Sequence, residues 1–148
     1  MPSATIDSPL VDALRARGQR VTPQRLVIHR LLREQNRHMS ADEVLDEVVE
    51  RLPGVSLPTV YATLELLEQL GLVRRLGPTG GRVLFDSRLD PHHHVVCSQC
   101  GRVEDLDAAV EIAPALTAAR RAGFADARAG LIVTGVCRTC RCPRRSYT

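Results

Sequence analysis

The chain has 148 residues, of which 44% are hydrophobic and 25% are charged, and its formal net charge is +3 at pH 7. This length suits one ordinary domain or two small ones, and the apolar content is normal for a globular protein with a hydrophobic core. The sequence contains no run of about 18 apolar residues and no apolar signal-peptide core, so a soluble, cytoplasmic protein is expected.

The basic side chains are all arginines and are unevenly distributed along the chain. Residues 1–40 are rich in arginine, whereas residues 41–50 carry acids and no arginine. Because phosphates favour clustered positive charge, this distribution indicates a nucleic-acid partner. On charge alone, a solvated basic face explains it equally well.

The chain is predicted to be helical up to about residue 71. Thr22 and Pro23 predict one helix start, Ser40 and Glu43 have capping-box spacing, and Ser56 predicts a further start. The second of these helices is expected to continue to the Pro-Gly pair at 53–54, and the third to Gly71. The predicted buried positions of these two helices are Val44, Leu45, Val48, Val49, Leu52, Leu57, Val60, Leu64 and Leu67.

Two short strands are predicted after the helices, over residues 72–76 and 82–86, with a Gly-rich turn between them. Helices followed by a hairpin predict a winged-helix DNA-binding domain over residues 1–87. In such a domain the last helix is expected to enter the major groove of DNA.

The second half, residues 88–148, has a different pattern and predicts a small α/β domain, which makes the whole chain α+β. The stretches "HHVVCSQC", "VEDLD" and "ARAGLIVTGVC" are typical of strands. The stretch "AAVEIAPALTAARRAG" predicts one helix that is interrupted near Pro114. The domain boundary is expected between Ser87 and Pro91.

Two Cys-x-x-Cys motifs indicate a structural zinc site with four thiolate ligands. The ligands would be Cys97, Cys100, Cys137 and Cys140. A redox disulfide pair and unrelated thiols are the alternatives. Cys142 is surplus, as an alternative ligand or, in the favoured interpretation, a free thiol.

Histidines next to the first motif indicate a second metal site. His92 and His94 alternate along a predicted strand and therefore face one side, whereas His93 faces the other. Other candidate ligands are Asp86, Asp105 or Glu104, and His38, although each alone is typical of a surface or turn residue. A set of nitrogen and oxygen ligands favours iron or manganese.

Taken together, these segments resemble the ferric uptake regulator family of metal-dependent transcription repressors, over about residues 10–141. The resemblance is carried by "RVTPQR", "HMSADEV", "VSLPTVYATLELLEQLGLV", "HHHVVCSQCG" and "GVCRTC" in this order. It implies a non-enzymatic homodimer with an N-terminal winged helix, a C-terminal dimerisation domain, structural zinc, and a regulatory metal between the domains.

The resemblance also implies a regulatory ligand set. Its members are His38, Asp86, His92, His94 and Asp105. Aspartate at the last position resembles the peroxide-responsive branch, because iron-sensing relatives commonly have glutamate there, although the neighbouring Glu104 leaves the ligand open. The hairpin region lacks the cysteine expected of a zinc sensor, and His93 keeps a nickel sensor open. In the peroxide-responsive interpretation, bound Fe²⁺ lets peroxide oxidise ligand histidines and ends repression.

A pseudo-palindromic DNA operator is implied as the partner. The implied DNA-binding residues are Arg17, Arg20, Arg25, Ser56, Thr59, Tyr61 and Thr63. Pro58 and Ala62 depart from the usual family residues, which leaves the operator sequence open. The competing hypotheses are an iron-, manganese- or nickel-responsive co-repressor without peroxide sensing, a thiol redox enzyme, and a zinc-ribbon interaction module.

Overall fold

The computed structural model describes residues 3–79 and 82–141, and at residues 3–6 and 78–79 it describes the backbone alone. The chain mixes helices and sheets, which confirms the predicted α+β class. It divides into two compact units, Met1–Leu89 and Asp90–Thr148. None of the described helices combines the length and the apolarity needed to cross a membrane.

The first unit is a group of helices followed by a hairpin. Its elements are α1 (Ser3–Ala16), α2 (Pro23–Gln35), α3 (Ala41–Val48), α4 (Leu57–Gln69), β1 (Arg74–Thr79) and β2 (Arg82–Asp86). The two strands run antiparallel, with Leu76 opposite Leu84. A β-bridge also joins Met39 to Phe85, so the segment before α3 lies along the hairpin. This is the predicted winged-helix arrangement.

The predicted helix starts are confirmed. Thr22, Ser40 and Ser56 each precede a helix, and each side chain accepts a hydrogen bond from the N–H three residues later. At α3 the capping box is complete, because Ser40 Oγ accepts from the Glu43 N–H at 3.3 Å and the Glu43 carboxylate accepts from the Ser40 N–H at 2.8 Å. These bonds satisfy amides that the helix itself leaves without partners.

The first unit has an apolar core built from one face of each helix and from the hairpin. Val44 and Val48 of α3 and Leu64 and Leu67 of α4 are 0% exposed. The core cluster consists of Leu10, Leu14, Ile28, Leu31, Leu32, Met39, Ala41, Val44, Val48, Val60, Leu64, Leu67, Val73 and Phe85. Burial of this many apolar side chains stabilises the unit through the hydrophobic effect.

Two predicted boundaries in this unit are wrong. Helix α3 ends at Val48 and not at Leu52, and the predicted burial of Val49 is wrong, because it is 43% exposed, although Leu52 still packs against the core. Two adjacent β-branched valines and the following Pro-Gly pair disfavour a longer helix. Strand β1 extends to Thr79 and pairs with Arg82, so it runs past the predicted end at residue 76. Residues 80 and 81 of the predicted turn lie outside the described residues.

In the part that the structure describes, the second unit contains a small mixed sheet and two helices. Its elements are β3 (His93–Cys97), β4 (Val103–Leu106), α5 (Ala113–Arg121), β5 (Ile132–Gly135) and α6 (Arg138–Arg141). Within the described residues the sheet order is β4-β3-β5, with β3 antiparallel to β4 and parallel to β5. The three predicted strands are confirmed.

The helix predicted with an interruption near Pro114 is instead a helix that begins there. Helix α5 starts at Ala113, and Pro114 occupies its first turn, where a missing N–H costs nothing. The preceding residues 107–112 are not helical. The proline therefore determines where the helix begins.

The second unit leaves much of its apolar surface exposed. Every residue of β5 is exposed, and α5 buries none of its residues. Ile132 is 57% exposed and Phe124 is 67% exposed, while Val96 at 7% is among the few buried apolar side chains of the described part. As described, this unit does not enclose a core comparable with that of the first unit.

Candidate metal centres and nucleic-acid surface

Pairing between β3 and β5 brings the two Cys-x-x-Cys motifs together. The parallel register places Cys97 opposite Gly135, which is two residues before Cys137. Gly101 has a φ of 73°, a left-handed conformation that turns the chain directly after the first motif. Within the described residues, four sulfur atoms lie within 4.8 Å of one another, those of Cys97, Cys100, Cys137 and Cys140. Cys142 lies outside the described residues.

Two thiols of this cluster have pKa values that are shifted in opposite directions. The backbone N–H of Cys137 donates to Cys97 Sγ at 3.4 Å, and this bond contributes most to lowering the pKa of Cys97 to about 6. The sulfurs of Cys137 and Cys100 raise the pKa of Cys140 to about 12, because its thiol proton is shared with them. Four neighbouring thiolates repel one another unless a dication neutralises them. The cluster therefore has the donor set and crowding that suit a zinc ion.

A histidine and a carboxylate meet in the first unit. His38 Nε2 lies 3.2 Å from Asp86 Oδ2, and both side chains are 7% exposed. Their closeness follows from the β-bridge, in which Met39 and Phe85 exchange backbone hydrogen bonds of 3.1 and 2.8 Å. The bridge therefore places His38, directly before Met39, beside Asp86, directly after Phe85.

Two histidines and one carboxylate meet in the second unit. The antiparallel register of β3 and β4 places His94 directly opposite Asp105. Asp105 Oδ1 lies 3.5 Å from His92 Nε2 and 3.8 Å from His94 Nε2. The two imidazole rings are 4.5 Å apart between centroids. Two nitrogens and one oxygen thus converge on one side of the sheet.

The hydrogen bonding of His92 determines its tautomer. His92 Nδ1 lies 2.8 Å from the carbonyl oxygen of Asp90, which can only accept, so Nδ1 carries the proton. In the neutral ring Nε2 then directs a lone pair towards the Asp105 carboxylate. A lone pair and an anion repel each other unless a cation lies between them, so this arrangement fits a divalent metal.

The neighbouring Glu104 and His93 lie elsewhere. Glu104 is opposite Val95 in the register, so it belongs to the other face of the sheet, and its carboxylate lies 2.6 Å from Arg102. His93 Nδ1 accepts a hydrogen bond from the Leu131 N–H at 3.0 Å. The register therefore favours Asp105 over Glu104 as a ligand, and it leaves His93 outside the group.

Only some of the residues that the resemblance implies as DNA contacts are exposed to solvent. Arg17 and Arg20 are exposed near the turn before α2, Arg25 is half-buried at the start of α2, and Tyr61 on α4 is 41% exposed. Thr63 is 5% exposed and its hydroxyl donates to the Thr59 carbonyl at 2.9 Å, so the expectation that it reaches bases is not supported.

Ser56 and Thr59 are engaged in capping α4. Ser56 Oγ accepts from the Thr59 N–H at 3.4 Å and lies 3.0 Å from the Thr59 hydroxyl. Ala62 and Glu65 are exposed on the same helix and were absent from the predicted set. The helical period of 3.6 residues places Glu65 beside both Tyr61 and Ala62, and this signal was present in the sequence.

Comparison with known proteins gives the same assignment over most of the chain. Residues 16–133 match the sequence profile of the Ferric uptake regulator family. The chain is 46% identical over 112 residues to Ferric uptake regulation protein 1 of Mycolicibacterium fortuitum, covering 75% of this chain and 69% of that protein. It is 39% identical to the transcriptional regulator FurA of Mycobacterium tuberculosis, covering 87% and 88%.

Lower similarity extends to a peroxide-responsive repressor and to solved structures. PerR of Staphylococcus epidermidis is 29% identical, with 88% of this chain and 87% of that protein covered. The structure of the ferric uptake regulator from Pseudomonas aeruginosa with manganese has a TM-score of 0.67 at 33% identity, covering 84% and 95%. That from Vibrio cholerae has a TM-score of 0.68 at 29% identity, covering 85% and 98%.

The profile match covers more than half of the chain, and the fold agrees with it. The proteins that match are transcription regulators and not enzymes. The chain therefore belongs to the ferric uptake regulator family of transcription regulators.

Proposed function

We propose that this protein is a metal-dependent DNA-binding repressor that acts as a homodimer and senses hydrogen peroxide. Its regulatory ligands are His38, Asp86, His92, His94 and Asp105, and its structural zinc ligands are Cys97, Cys100, Cys137 and Cys140. The observation that carries the proposal is the β3–β4 register, which aligns Asp105 with two histidines and turns Glu104 away.

The ligand chemistry points to Fe²⁺ or Mn²⁺ as the regulatory metal. Imidazole nitrogens and carboxylate oxygens form a hard-to-borderline set, which suits these ions better than it suits a soft metal. The similarity to a family member solved with manganese supports this choice. When bound, the metal would supply the positive charge that balances the negative charge of these carboxylates.

The exposed apolar surface of the second unit is proposed as the dimer interface. Strand β5 is an edge strand of the described sheet, and it exposes Ile132 on one face and Val133 on the other. Unpaired edges and contiguous apolar surface are unfavourable in water and favour association. Ile132→Asp should raise the dimer dissociation constant by at least about tenfold, because association would bury a charge. Val83→Asp, at an equally apolar but separate site in β2, should leave the dimer intact in sedimentation velocity.

DNA binding is proposed to occur through the first unit. The arginines near the start of α2 would contact phosphates, and α4 would enter the major groove with Tyr61 facing the bases. In a symmetric dimer two α4 helices would read the two halves of a pseudo-palindromic operator. Because the arginines displace counterions, affinity should decrease steeply as the salt concentration rises.

Substitutions of Tyr61 and Arg20 distinguish the proposed base contacts from the proposed phosphate contacts. Tyr61→Ala should reduce affinity for the operator more than for random DNA, whereas Arg20→Ala should reduce both similarly. Equal losses on both DNAs for Tyr61→Ala would contradict its role in base recognition.

We propose that each peroxide-sensing event inactivates the protein molecule that senses it. Bound Fe²⁺ supplies the chemistry that activates hydrogen peroxide, and the net reaction converts one imidazole and one peroxide into an oxo-imidazole and water. His38 or His92 would be the modified residue. An oxidised ring is a poor metal ligand, so the site would be lost and the repressor would leave DNA.

The deciding experiment compares two carboxylate exchanges on the iron-loaded and manganese-loaded dimers. Peroxide should release the iron-loaded wild type from DNA, leave the manganese-loaded protein bound, and add one oxygen to His38 or His92 by mass spectrometry. Asp105→Glu should retain iron-dependent DNA binding and lose much of the peroxide sensitivity. Glu104→Asp, on the opposite face of the same strand, serves as the matched control and should behave as wild type.

A second function, a co-repressor that responds to iron, manganese or nickel without peroxide sensing, is favoured by one observation. The identity to Ferric uptake regulation protein 1 of M. fortuitum and to the transcriptional regulator FurA of M. tuberculosis exceeds the identity to the peroxide-responsive repressor PerR of S. epidermidis. Iron-loaded protein that stays on DNA in peroxide, with both histidines unmodified, would establish this function instead.

A further inference from the structure

Helix α4 presents a narrow exposed face that differs from its buried one. Val60, Leu64 and Leu67 are buried in the core, whereas Tyr61 is 41% exposed. Ala62 and Glu65 are exposed as well. Because residues three and four positions apart lie on the same side of a helix, Glu65 is adjacent to both Tyr61 and Ala62.

The carboxylate of Glu65 is available to an external partner. The next acidic residue on the helix, Glu68, lies 3.0 Å from the Arg75 guanidinium of β1 and is neutralised by it. Among the residues that the structure describes, Glu65 has no such ion pair, and it is exposed to solvent. A carboxylate facing the phosphates of DNA is unfavourable unless it accepts a hydrogen bond there, since like charges repel.

We infer that Glu65 determines base specificity by accepting a hydrogen bond from the N4 amino group of a cytosine in the major groove. This inference rests on the proposed function, in which α4 enters that groove. Cytosine presents a donor at this edge, guanine presents two acceptors, and adenine places its N7 acceptor beside its amino group. An ionised carboxylate can only accept, so it favours cytosine over both purines.

The neighbours of Glu65 define the rest of the contacted sequence. The ring of Tyr61 and the methyl group of Ala62 are apolar surfaces of the kind that contact the methyl group of thymine. Ala62 and Glu65 are separated by about 4.5 Å along the helix axis, at about 1.5 Å per residue. Base pairs are about 3.4 Å apart, so the thymine and the cytosine should lie within one or two steps of each other.

The experiment first selects bound sites from random DNA duplexes with the manganese-loaded dimer, and then measures affinity for the selected site. A second duplex has the contacted cytosine replaced by thymine. Wild type should prefer the cytosine site by roughly tenfold. Glu65→Ala should abolish that preference, and Glu65→Gln should shift the selected base towards adenine, which a carboxamide contacts at two positions.

The matched control removes an equivalent charge from a different element. Glu50→Ala, at an exposed acid just after α3, should retain the full cytosine preference. Alanine is favourable in exposed helix positions, so Glu65→Ala should melt at or above the wild-type temperature, and a lost preference would not reflect unfolding.

Two results would overturn the inference. If Glu65→Ala binds every duplex more tightly by the same factor, Glu65 is a solvated acid near the phosphates. If it binds every duplex like wild type, Glu65 lies away from DNA. Absence of any sequence preference in wild type would overturn the proposed function as well, so the two failures are distinguishable.

Discussion

The two units of this chain are stabilised in different ways. The first encloses an apolar core to which four helices and a hairpin contribute. In the second, α5 buries none of its residues and β5 is exposed along its length. What the second unit does contain is a group of four convergent thiols. Hydrophobic burial explains the first unit, whereas for the second unit we propose that a bound metal and a partner surface contribute the stability that its small core does not.

This difference agrees with the roles proposed for the two units, DNA binding for the first and metal binding and dimerisation for the second. A unit with its own core can present side chains to DNA from rigid helices, because their positions do not depend on a ligand. A unit that needs a metal or a partner is sensitive to both, since binding free energy contributes directly to its stability. The predictions below test this contrast, from the largest expected effect to the smallest.

Removal of the structural metal should affect the second unit far more than the first. Cys97→Ser or Cys140→Ser should lose zinc and the dimer, since structural zinc contributes on the order of 10 kcal/mol to folding. Elemental analysis measures the zinc, and sedimentation velocity measures the dimer. Hydrogen exchange should remain slow in the core helices α2 and α4 and become fast in β3 and β5.

Cys142→Ser is the control for this experiment and should change neither zinc content nor the dimer. A stable, zinc-free dimer of Cys97→Ser would show that the thiol cluster does not hold the second unit together.

A cavity introduced into the core of the first unit should, in contrast, destabilise the first unit. Leu64 is 0% exposed, so Leu64→Ala should destabilise the first unit by about 2–5 kcal/mol. The same change at Leu131, which is 40% exposed, should alter exchange in the first unit little. Hydrogen exchange of peptides from each unit distinguishes the two. Equal effects of both variants on the first unit would contradict the separation.

Loss of the capping box should be a smaller, local effect in the first unit. Ser40→Ala removes the acceptor for the Glu43 N–H and should cost about 1 kcal/mol. Exchange of the α3 amides should accelerate while zinc content stays unchanged. Ser40→Asp, which keeps an acceptor at the cap, should restore most of the protection.

Acid should gradually weaken the first unit through His29, which is 2% exposed in α2. Burial, assisted by the charge of Arg33, holds the pKa of His29 below its usual 6.5, while Asp7 acts in the opposite direction. The unfolded chain therefore binds this proton more readily, so the stabilisation is present above pH 6.5 and decreases as pH falls through that value. In His29→Leu, the free energy of unfolding should depend less steeply on pH, as measured by denaturant titrations of the zinc-loaded protein at several pH values. An unchanged pH dependence would mean that another group controls the acid sensitivity.

The sequence by itself determined the local features of both units. The caps at Thr22, Ser40 and Ser56, the presence of the described strands (though not all of their ends) and the two cysteine motifs were predictable, because each depends on residues within three or four positions of one another. Helix α1 and the short α6 were not delimited in advance, since neither has a side-chain cap signal as clear as these.

Only the tertiary structure decided which neighbouring residues face a site. The β3–β4 register places Asp105, and not Glu104, opposite His94, and a one-residue shift would turn Asp105 to the other face of the sheet. Packing of α4 buries Thr63 and exposes Ala62 and Glu65, and the bridge between Met39 and Phe85 places His38 beside Asp86. These outcomes depend on partners far apart in sequence, so short-range patterns cannot specify them.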